Sequence, residues 1–330
     1  MSERIKIVIG IEGTAHTFGV GLASLDGKII EDFSDQYVPT SGGIHPRDAA
    51  EHHSEIAPLL IDQAFKRIKE LKGEIKAIGF SMGPGLGPCL RVAATVARTL
   101  SSYLDVPLYG VHHGIAHIEI GKKLTGAKDP LTLLVSGGHT MIVALEKNYY
   151  RVFGETLDIS IGNLIDMFMR EAGFPSPAGP KCEELASQTE DFVELPYVVK
   201  GTDLSFSGIL TKAISLLKEG YPLPVLCRSL QEVAFSMLTE VTERALAHTG
   251  KKELLIVGGV AMNKRLREML EYIANEHNAK FYFLTKYNGD NAAMIAWLTA
   301  LYYIYGEPIK IEKSFVKPLW RLDEVYIPWE

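Results

Sequence analysis

The sequence predicts an α/β protein made of two copies of one sheet-and-helix unit, and three observations predict it. Short apolar runs alternate with amphipathic stretches along the chain, the pattern of strands and covering helices. A Gly/Thr turn follows an apolar strand in each half, GTAHT at 13–17 and GGHT at 137–140. Later segments also correspond. IGFSMGPGLGPCLRVAATVA resembles LIVGGVAMNKRLREMLEYIA, and VPLYGVHHGIAHIEI resembles KFYFLTKYNGDNAAMIAWL. A repeat of roughly 120–130 residues indicates two similar domains and not a solenoid.

Each element has its own local reason. MSERIKIVIGIEGT ends its apolar run in Glu and Gly and not in a cleavage site, so IKIVIGI (5–11) is read as a buried first strand and not as a signal peptide. FGVGLASL is the second strand, and Asp-Gly at 26–27 is a hairpin signal. Residues 47–71 repeat apolar side chains at three-to-four spacing and predict an amphipathic helix, with Gly73 just past its end as a stop signal. IKAIGFS (75–81) is a strand, followed by GPGLGP and a helix from about 88 to 104. VPLYGV and HHGIAHIEIGKKL supply a further strand and helix. LTLLVS (131–136) opens the second half, and MIVALE follows its Gly/Thr turn. The region 155–250 is longer than its counterpart and holds GFPSPAGPK (173–181), which predicts helices inserted into the second domain. The expected division is 1–128 for the first domain and 129–330 for the second.

Composition narrows the classes. At 330 residues the chain exceeds the size at which one hydrophobic core keeps growing, so two domains are expected. With 47% hydrophobic and 22% charged residues it is an ordinary globular chain, not a disordered or fibrous one. No apolar run is long enough to span a membrane. Three scattered cysteines, Cys89, Cys182 and Cys227, form no CxxC pair, which excludes a zinc ribbon or a disulfide framework and points to a reducing cytoplasm. A net charge of −6 excludes a free-standing nucleic-acid binder with a basic footprint, but not a subunit whose partners supply positive surface.

Two sheet-and-helix copies with Gly/Thr hairpins describe the actin-like ATPase (ASKHA) architecture, in which two phosphate hairpins face each other across a cleft. GIEGT (10–14), SGGHT (136–140) and GGVAMN (258–263) each follow a strand, and glycine lets backbone N–H groups approach phosphate oxygens. In HHGIAH, His113 and His117 are four apart and share one helix face, the spacing that brings two imidazoles to one metal ion. The same spacing also describes a metal-free histidine pair. Gly114, not Glu, follows His113, so the zinc-protease motif is absent. The corresponding segment of the second half, NGDNAAMIA, puts Asp290 at a helix start, either as a third metal ligand or as the helix N-cap. Two His and one carboxylate with open positions suit a divalent metal that also holds a substrate oxygen. Asp166 sits on a predicted helix, with Gly179 and Glu183 beyond it; on pattern alone it is an exposed helix residue, although carboxylates beside nucleotides often bind ribose hydroxyls. DLSFSGILT reads as packing, and His52 and His53 as surface or core histidines.

In order along the chain, GIEGTAHT, SGGIHPRDAAEHH, GPGLGPCLRV, HHGIAH, LLVSGGHT, GETLDISIGNLIDMF, DLSFSG, GGVAMNKRLR and DNAAMIA resemble the motifs of the TsaD family, in its archaeal branch, the catalytic subunit of the KEOPS complex. The resemblance implies an actin-like fold and transfer of a threonylcarbamoyl group from threonylcarbamoyl-AMP to the exocyclic amine of the adenosine just 3′ of the anticodon, in tRNAs reading ANN codons. It implies that His113, His117 and Asp290 hold one divalent metal, iron or zinc. It implies that Leu134, Val135, Ser136, Gly137 and Gly138, with Asp166, Gly179, Glu183 and Asn263, bind the adenylate or an ATP/AMP-type nucleotide. Some archaeal members carry a Tyr able to ligate iron where this chain has Leu134, so a Tyr-ligated iron is not implied here.

The resemblance also implies partners: tRNA, a small dimerising subunit, a small kinase/ATPase subunit, which some archaea fuse to this chain, and an accessory regulator. With 34 basic against 40 acidic residues, the chain is expected to bind tRNA weakly alone. The helix at 47–71 belongs to the candidate docking face. No covalent nucleophile or general base is assigned. Three other classes share some of these features: a small-molecule kinase of the same fold, which has no use for the His pair; a metalloprotease, which lacks its Glu; and a non-enzymatic ATP-binding scaffold.

Overall fold

The computed structural model describes residues 4–39 and 42–330; Met1–Glu3 of the N-terminal segment and Ser41 of the SGGIH motif lie outside the described residues. In chain order the elements are β1 (Lys6–Glu12), β2 (Thr17–Ser24), β3 (Ile29–Gln36), α1 (Pro46–Glu70), β4 (Glu74–Gly83), α2 (Gly87–Leu104), β5 (Leu108–His112) and α3 (His113–Thr125). The second half contributes β6 (Leu131–Val135), β7 (Thr140–Glu146), β8 (Tyr149–Glu155), α4 (Ile161–Glu171), α5 (Gly179–Ala186), β9 (Val199–Lys200), β10 (Asp203–Leu204), α6 (Ser207–Lys218) and α7 (Leu223–Thr249). It ends with β11 (Glu253–Val257), α8 (Lys264–Glu276), β12 (Lys280–Phe283) and α9 (Ala292–Tyr305). Helices α4 to α7 fill the insertion.

The two five-stranded sheets have one topology. Their orders are β3-β2-β1-β4-β5 and β8-β7-β6-β11-β12. In each, two antiparallel hairpin pairings precede two parallel ones. The duplication read in the sequence is therefore a duplication of sheet order. This is the actin-like ATPase fold.

Strand parity divides the core into three layers. On β1, Ile7, Ile9 and Ile11 face the α1/α2 layer, whereas Val8 faces the middle. On β6, Leu131, Leu133 and Val135 face the inserted helices, and Leu134 faces the middle. The middle layer is α3 and α9, and their partners are exchanged. α3, from the first half, packs on β6 and β11; α9, from the second half, packs on β1, β2 and β4. A division at 128/129 thus separates the sheets but not the helices that cover them.

Glycines make this exchange possible. A Cβ on Gly10 would lie 2.1 Å from the Ala296 nitrogen, and one on Gly21 2.1 Å from the Ala292 oxygen. Gly79 leaves room for Thr299, and Gly121 on α3 for Val257. Strand glycines of this kind mark close approach of another backbone. α9 carries no charged residue and is apolar nearly all round, as expected of a helix between two sheets.

Gly73 lies just past the end of α1, as expected, and its N–H donates to the Ile68 carbonyl at 2.9 Å, while Lys72 before it takes the left-handed φ of 51°. Of the two roles open to Asp290, it does not take that of N-cap of α9. Asn291 is the cap and accepts from the Met294 N–H at 2.9 Å, which leaves the Asp290 carboxylate free for other partners.

After α9 the chain runs as a strap over both halves. Ile309 N–H donates to Leu108, Lys317 N–H to Met82, and Pro318 accepts from Gly85 N–H on the first sheet's side. Ile327 N–H then donates to Asn148 beside β8.

Gly10→Ala is expected to force α9 away from β1, because its obstacle is backbone. Overpacking of this type costs about 1–3 kcal/mol. Urea unfolding would read it as a lower midpoint, and an unchanged midpoint would contradict the packing described.

Candidate metal and nucleotide site

α3 begins where β5 ends. The His112 Nδ1 atom accepts from Ile115 N–H and caps the helix, while its Nε2–H donates to the Trp320 carbonyl at 3.2 Å. Burial pushes the His112 ring down to about 3, so it is neutral and suited to that double role. His113 and His117 then fall on one face, buried between the sheets.

The exchange of helices brings Asp290 to them. Its Oδ1 lies 3.3 Å from His113 Nε2 and 3.2 Å from His117 Nε2. One ligand atom from each of the three residues falls within 4.8 Å of the others. The imidazole rings are perpendicular, with centroids 4.8 Å apart. The donor set is two imidazole nitrogens and a carboxylate oxygen, which fits iron or zinc.

The other side of His113 is also held. Glu12, at the end of β1 and fully buried, accepts from His113 Nδ1–H at 3.1 Å. The same carboxylate accepts from the Thr14 N–H and hydroxyl, at 2.8 and 2.6 Å. Glu12 therefore fixes the Nδ1–H tautomer and turns Nε2 toward the cluster, the carboxylate–histidine relay of metal sites. Burial works against charge on His113, but Glu12 and Asp290 override it and push the ring up to about 10. Burial alone would raise the Asp290 carboxyl; the His113 and His117 rings hold it well below the usual carboxylate range. An ion at this place would replace the Nε2 proton of His113 as Asp290's counter-charge.

Asp290 is itself positioned from the first sheet. Asp32 on β3 accepts from the Ala292 and Ala293 N–H groups at 2.7 and 3.1 Å. With Asn291, it satisfies the first-turn donors of α9 that no intrahelical bond can reach.

The Gly-rich turn of the second half adjoins this cluster. Ser136 N–H donates to the His139 carbonyl at 2.8 Å, and Ser136 Oγ accepts from Gly138 and His139 N–H. The His139 ring lies 6.3 Å from that of His113, nearly parallel. Burial pushes His139 down to about 4, so it too is neutral. Gly137 and Gly138 are exposed, whereas Leu134 and Val135 are buried in β6 and hold the turn from beneath. The N-terminus of α4 abuts the turn. Ser160 caps it and donates to the Gly137 carbonyl, and a Cβ on Gly162 would meet Gly137 Cα at 2.8 Å. Helix N-termini and glycine N–H groups together attract anions.

The remaining expected residues form a rim joined by hydrogen bonds. Asp166 on α4 accepts from Ala178 N–H at 2.8 Å, just before Gly179 opens α5. Glu183 on α5 accepts from Lys264 N–H at 2.8 Å, and Asn263 caps α8 beside it. Asp166 is half-buried, and burial pushes its carboxyl up. In this second copy the Gly turn after β11 begins at Gly258, whose φ of 99° and 2.2 Å approach to the Val135 oxygen admit only glycine.

Glu12, Thr14 and His139 lie inside the GIEGT and SGGHT turns but were given no role of their own there, and Asp32 lies in no motif. Glu12 had a signal, an acidic residue closing an otherwise apolar strand. Asp32 had none, because its partner lies 260 residues away.

Fold and site together define an actin-like protein of two repeated sheets with a two-His, one-Asp cluster of metal-ligand type beside a Gly-rich turn. The tRNA N6-adenosine threonylcarbamoyltransferase family model matches residues 28–297, and the chain belongs to that family. The tRNA N6-adenosine threonylcarbamoyltransferase of Pyrobaculum calidifontis is 51% identical over 328 residues, 98% of this chain and 96% of that protein. The probable bifunctional tRNA threonylcarbamoyladenosine biosynthesis protein of Methanothermobacter thermautotrophicus is 51% identical over 324 residues, 98% of this chain; the chain spans only 61% of that relative's length. Among solved structures, T. kodakarensis HypF matches with a TM-score of 0.64 at 15% identity, over 92% of this chain and 48% of that one. The activator of the 2-hydroxyisocaproyl-CoA dehydratase from Clostridium difficile, with bound ADPNP, gives 0.51 at 11% identity, over 89% and 95%. These two likenesses show the fold.

Glu12→Gln keeps the shape of the side chain but weakens its grip on His113 Nδ1–H. Metal affinity is expected to fall about 10–100-fold, the usual effect of removing such an orienting partner. Competition with a chelator of known affinity measures it, and wild-type affinity in the variant would remove Glu12 from the site. Asp32→Ala is expected to lower stability by about 1 kcal/mol through loss of the cap, read by the same unfolding titration as Gly10→Ala.

Proposed function

We propose that this protein is an acyltransferase that moves a threonylcarbamoyl group from threonylcarbamoyl-AMP to the exocyclic amine of the adenosine 3′ of the anticodon, in tRNAs reading ANN codons. The observation that carries the reading is the convergence of His113, His117 and Asp290 within 4.8 Å, with the Gly-rich turn packed against them through His139. Family membership and the names of the relatives support the substrate.

In this reading His113, His117 and Asp290 hold one divalent ion, iron or zinc. When bound, that ion supplies Lewis acidity toward substrate oxygens and compensates developing negative charge. The chain's own groups do the rest. Gly137 N–H faces the adenylate phosphate from the exposed turn, whereas the first N–H groups of α4 are taken by Thr140 Oγ1, the Ser136 carbonyl and Ser160 Oγ. Asp166, Gly179, Glu183 and Asn263 line the rim that takes the nucleoside. Glu12 and Thr14 keep the His113 ring in one tautomer and orientation through both halves of the reaction. The new bond joins the adenosine nitrogen to the carbamoyl carbon, the bond to the AMP oxygen breaks, and the amine loses one proton.

The setting proposed is the cytoplasm, as catalytic subunit of a KEOPS-type complex with a dimerising subunit, a kinase/ATPase subunit and a regulator. The face formed by α1 and α2 carries a groove of about 490 Å³ lined by Ala57, Pro58, Ile61, Val92 and Val96, which supports a docking role for this face. Among the described residues no helix is long and apolar enough to cross a membrane.

Replacing His113 and His117 together by Ala is expected to abolish transfer to tRNA while circular dichroism stays native. Full transfer by the double variant would remove the metal from the reaction. ATP-dependent phosphorylation of a small acceptor, without transfer to tRNA, would favour a kinase of the same fold.

A further inference from the structure

The strap after α9 presents a surface that the proposed chemistry leaves unused. Ser314, Val316 and Trp320 turn inward, and Arg98 Nε–H donates to Ser314 Oγ at 2.8 Å. The side chains between them point to solvent and alternate in character: Lys313, Phe315, Lys317, Leu319 and Arg321. Phe315 is 72% exposed and Leu319 91%. From Lys310 to Arg321 there are four basic residues and one acidic, Glu312, in a chain of net charge −6. Arg321 is paired with Asp323 at 3.1 Å, so the free charge rests on the lysines. Lys317 lies 4.3 Å over the Trp320 ring, which holds its ammonium at the surface.

This surface leads to the metal centre. Pro318 accepts from Gly85 N–H at 3.1 Å, and the next residue, Leu86, donates to the Thr14 carbonyl at 2.7 Å. Thr14 Oγ1 is 3.3 Å from His113 Nδ1. On the other side Trp320 accepts from His112, the neighbour of His113 in the chain. The strap therefore runs along the outside of β5 and ends at the wall of the site.

We propose that the strap from Lys310 to Arg321 is the track for the single-stranded RNA flanking the target adenosine, with its lysines on phosphates and Phe315 and Leu319 against bases. The proposal rests on transfer to tRNA as the function. The composition favours RNA over a protein partner. Lysine is depleted where proteins bury one another's surfaces, whereas lysines beside exposed aromatic and apolar side chains are the footprint of single-strand binding. It also places a positive surface of the chain's own where the reaction needs one, and leaves the rest of the tRNA grip to partners.

The test uses a tRNA substrate with 4-thiouridine in the anticodon loop, irradiated with the full chain assembled with the partner subunits of the proposed complex, and transfer kinetics with the same assembly, tRNA and threonylcarbamoyl-AMP. Crosslinks are expected within residues 310–321. Lys313→Glu with Lys317→Glu is expected to raise the KM for tRNA about tenfold with kcat kept, and to lower the salt slope of binding by roughly 1.4. Phe315→Ala with Leu319→Ala is expected to raise KM about five- to tenfold without changing that slope. Metal content and unfolding midpoint serve as folding controls. Crosslinks elsewhere, with both variants kinetically normal, overturn the track. Normal RNA crosslinking by the charge-reversed variant, together with lost binding to a partner subunit, overturns it in favour of protein docking. Crosslinks to the strap without any transfer by the wild type leave the track standing and overturn the function on which it was built.

Discussion

The contact between α9 and the glycine-lined face of the first sheet is the constraint on which the site depends. α9 belongs by sequence to the second half, yet its backbone lies against Gly10 and Gly21 with no room for a Cβ. That contact, with Asp32 holding the start of α9, carries Asp290 across to His113 and His117. The reciprocal packing of α3 on β6 and β11 completes the exchange. Each half thus delivers its ligand-bearing helix to the other's sheet, and the cluster forms where the two helices meet. A hinge opening between the sheets would have to separate α3 from α9 or drag one of them off its glycine bed.

Charge explains why the cluster is built with so many carboxylates around it. Two buried imidazoles alone would be forced neutral, as His112 and His139 are. Glu12 and Asp290 reverse that for His113 by supplying two negative partners at hydrogen-bond distance. A buried anionic pocket with paired acids is costly unless a cation compensates it. The proton on His113 does so here, and a divalent ion held by His113, His117 and Asp290 would take its place. The neutral histidines flank the cluster in structural roles, one capping α3 and one closing the Gly-rich turn.

The same exchange sets the relation between the His113, His117 and Asp290 cluster and the Gly-rich turn. Leu134 faces the α3/α9 layer while its neighbour Val135 faces the inserted helices. The turn that follows is therefore held from both layers. Ser160 and Gly162 at the start of α4 press on it from one side and His139 reaches back toward His113 on the other. The inserted helices α4 and α5 bring Asp166 and Glu183 to a rim shared with Asn263 at the start of α8.

Much of this was legible in residue order. Alternating apolar runs, Gly/Thr turns and the correspondence of the halves determined the α/β class and the repeated sheet, because strand and helix periodicities are local. The His pair was legible for the same reason, since four residues on a helix return to one face. The correspondence of the halves pointed to Asp290, and the family resemblance implied Asp166, Gly179, Glu183 and Asn263. Tertiary structure alone decided that Asp290 is free of capping duty and that a cut at 128 leaves the helices exchanged. It alone joined Glu12 to His113 and Asp32 to the start of α9. These pairings rest on which backbones approach closely enough to need glycine. That closeness is a property of two distant segments at once, and neither segment encodes it alone.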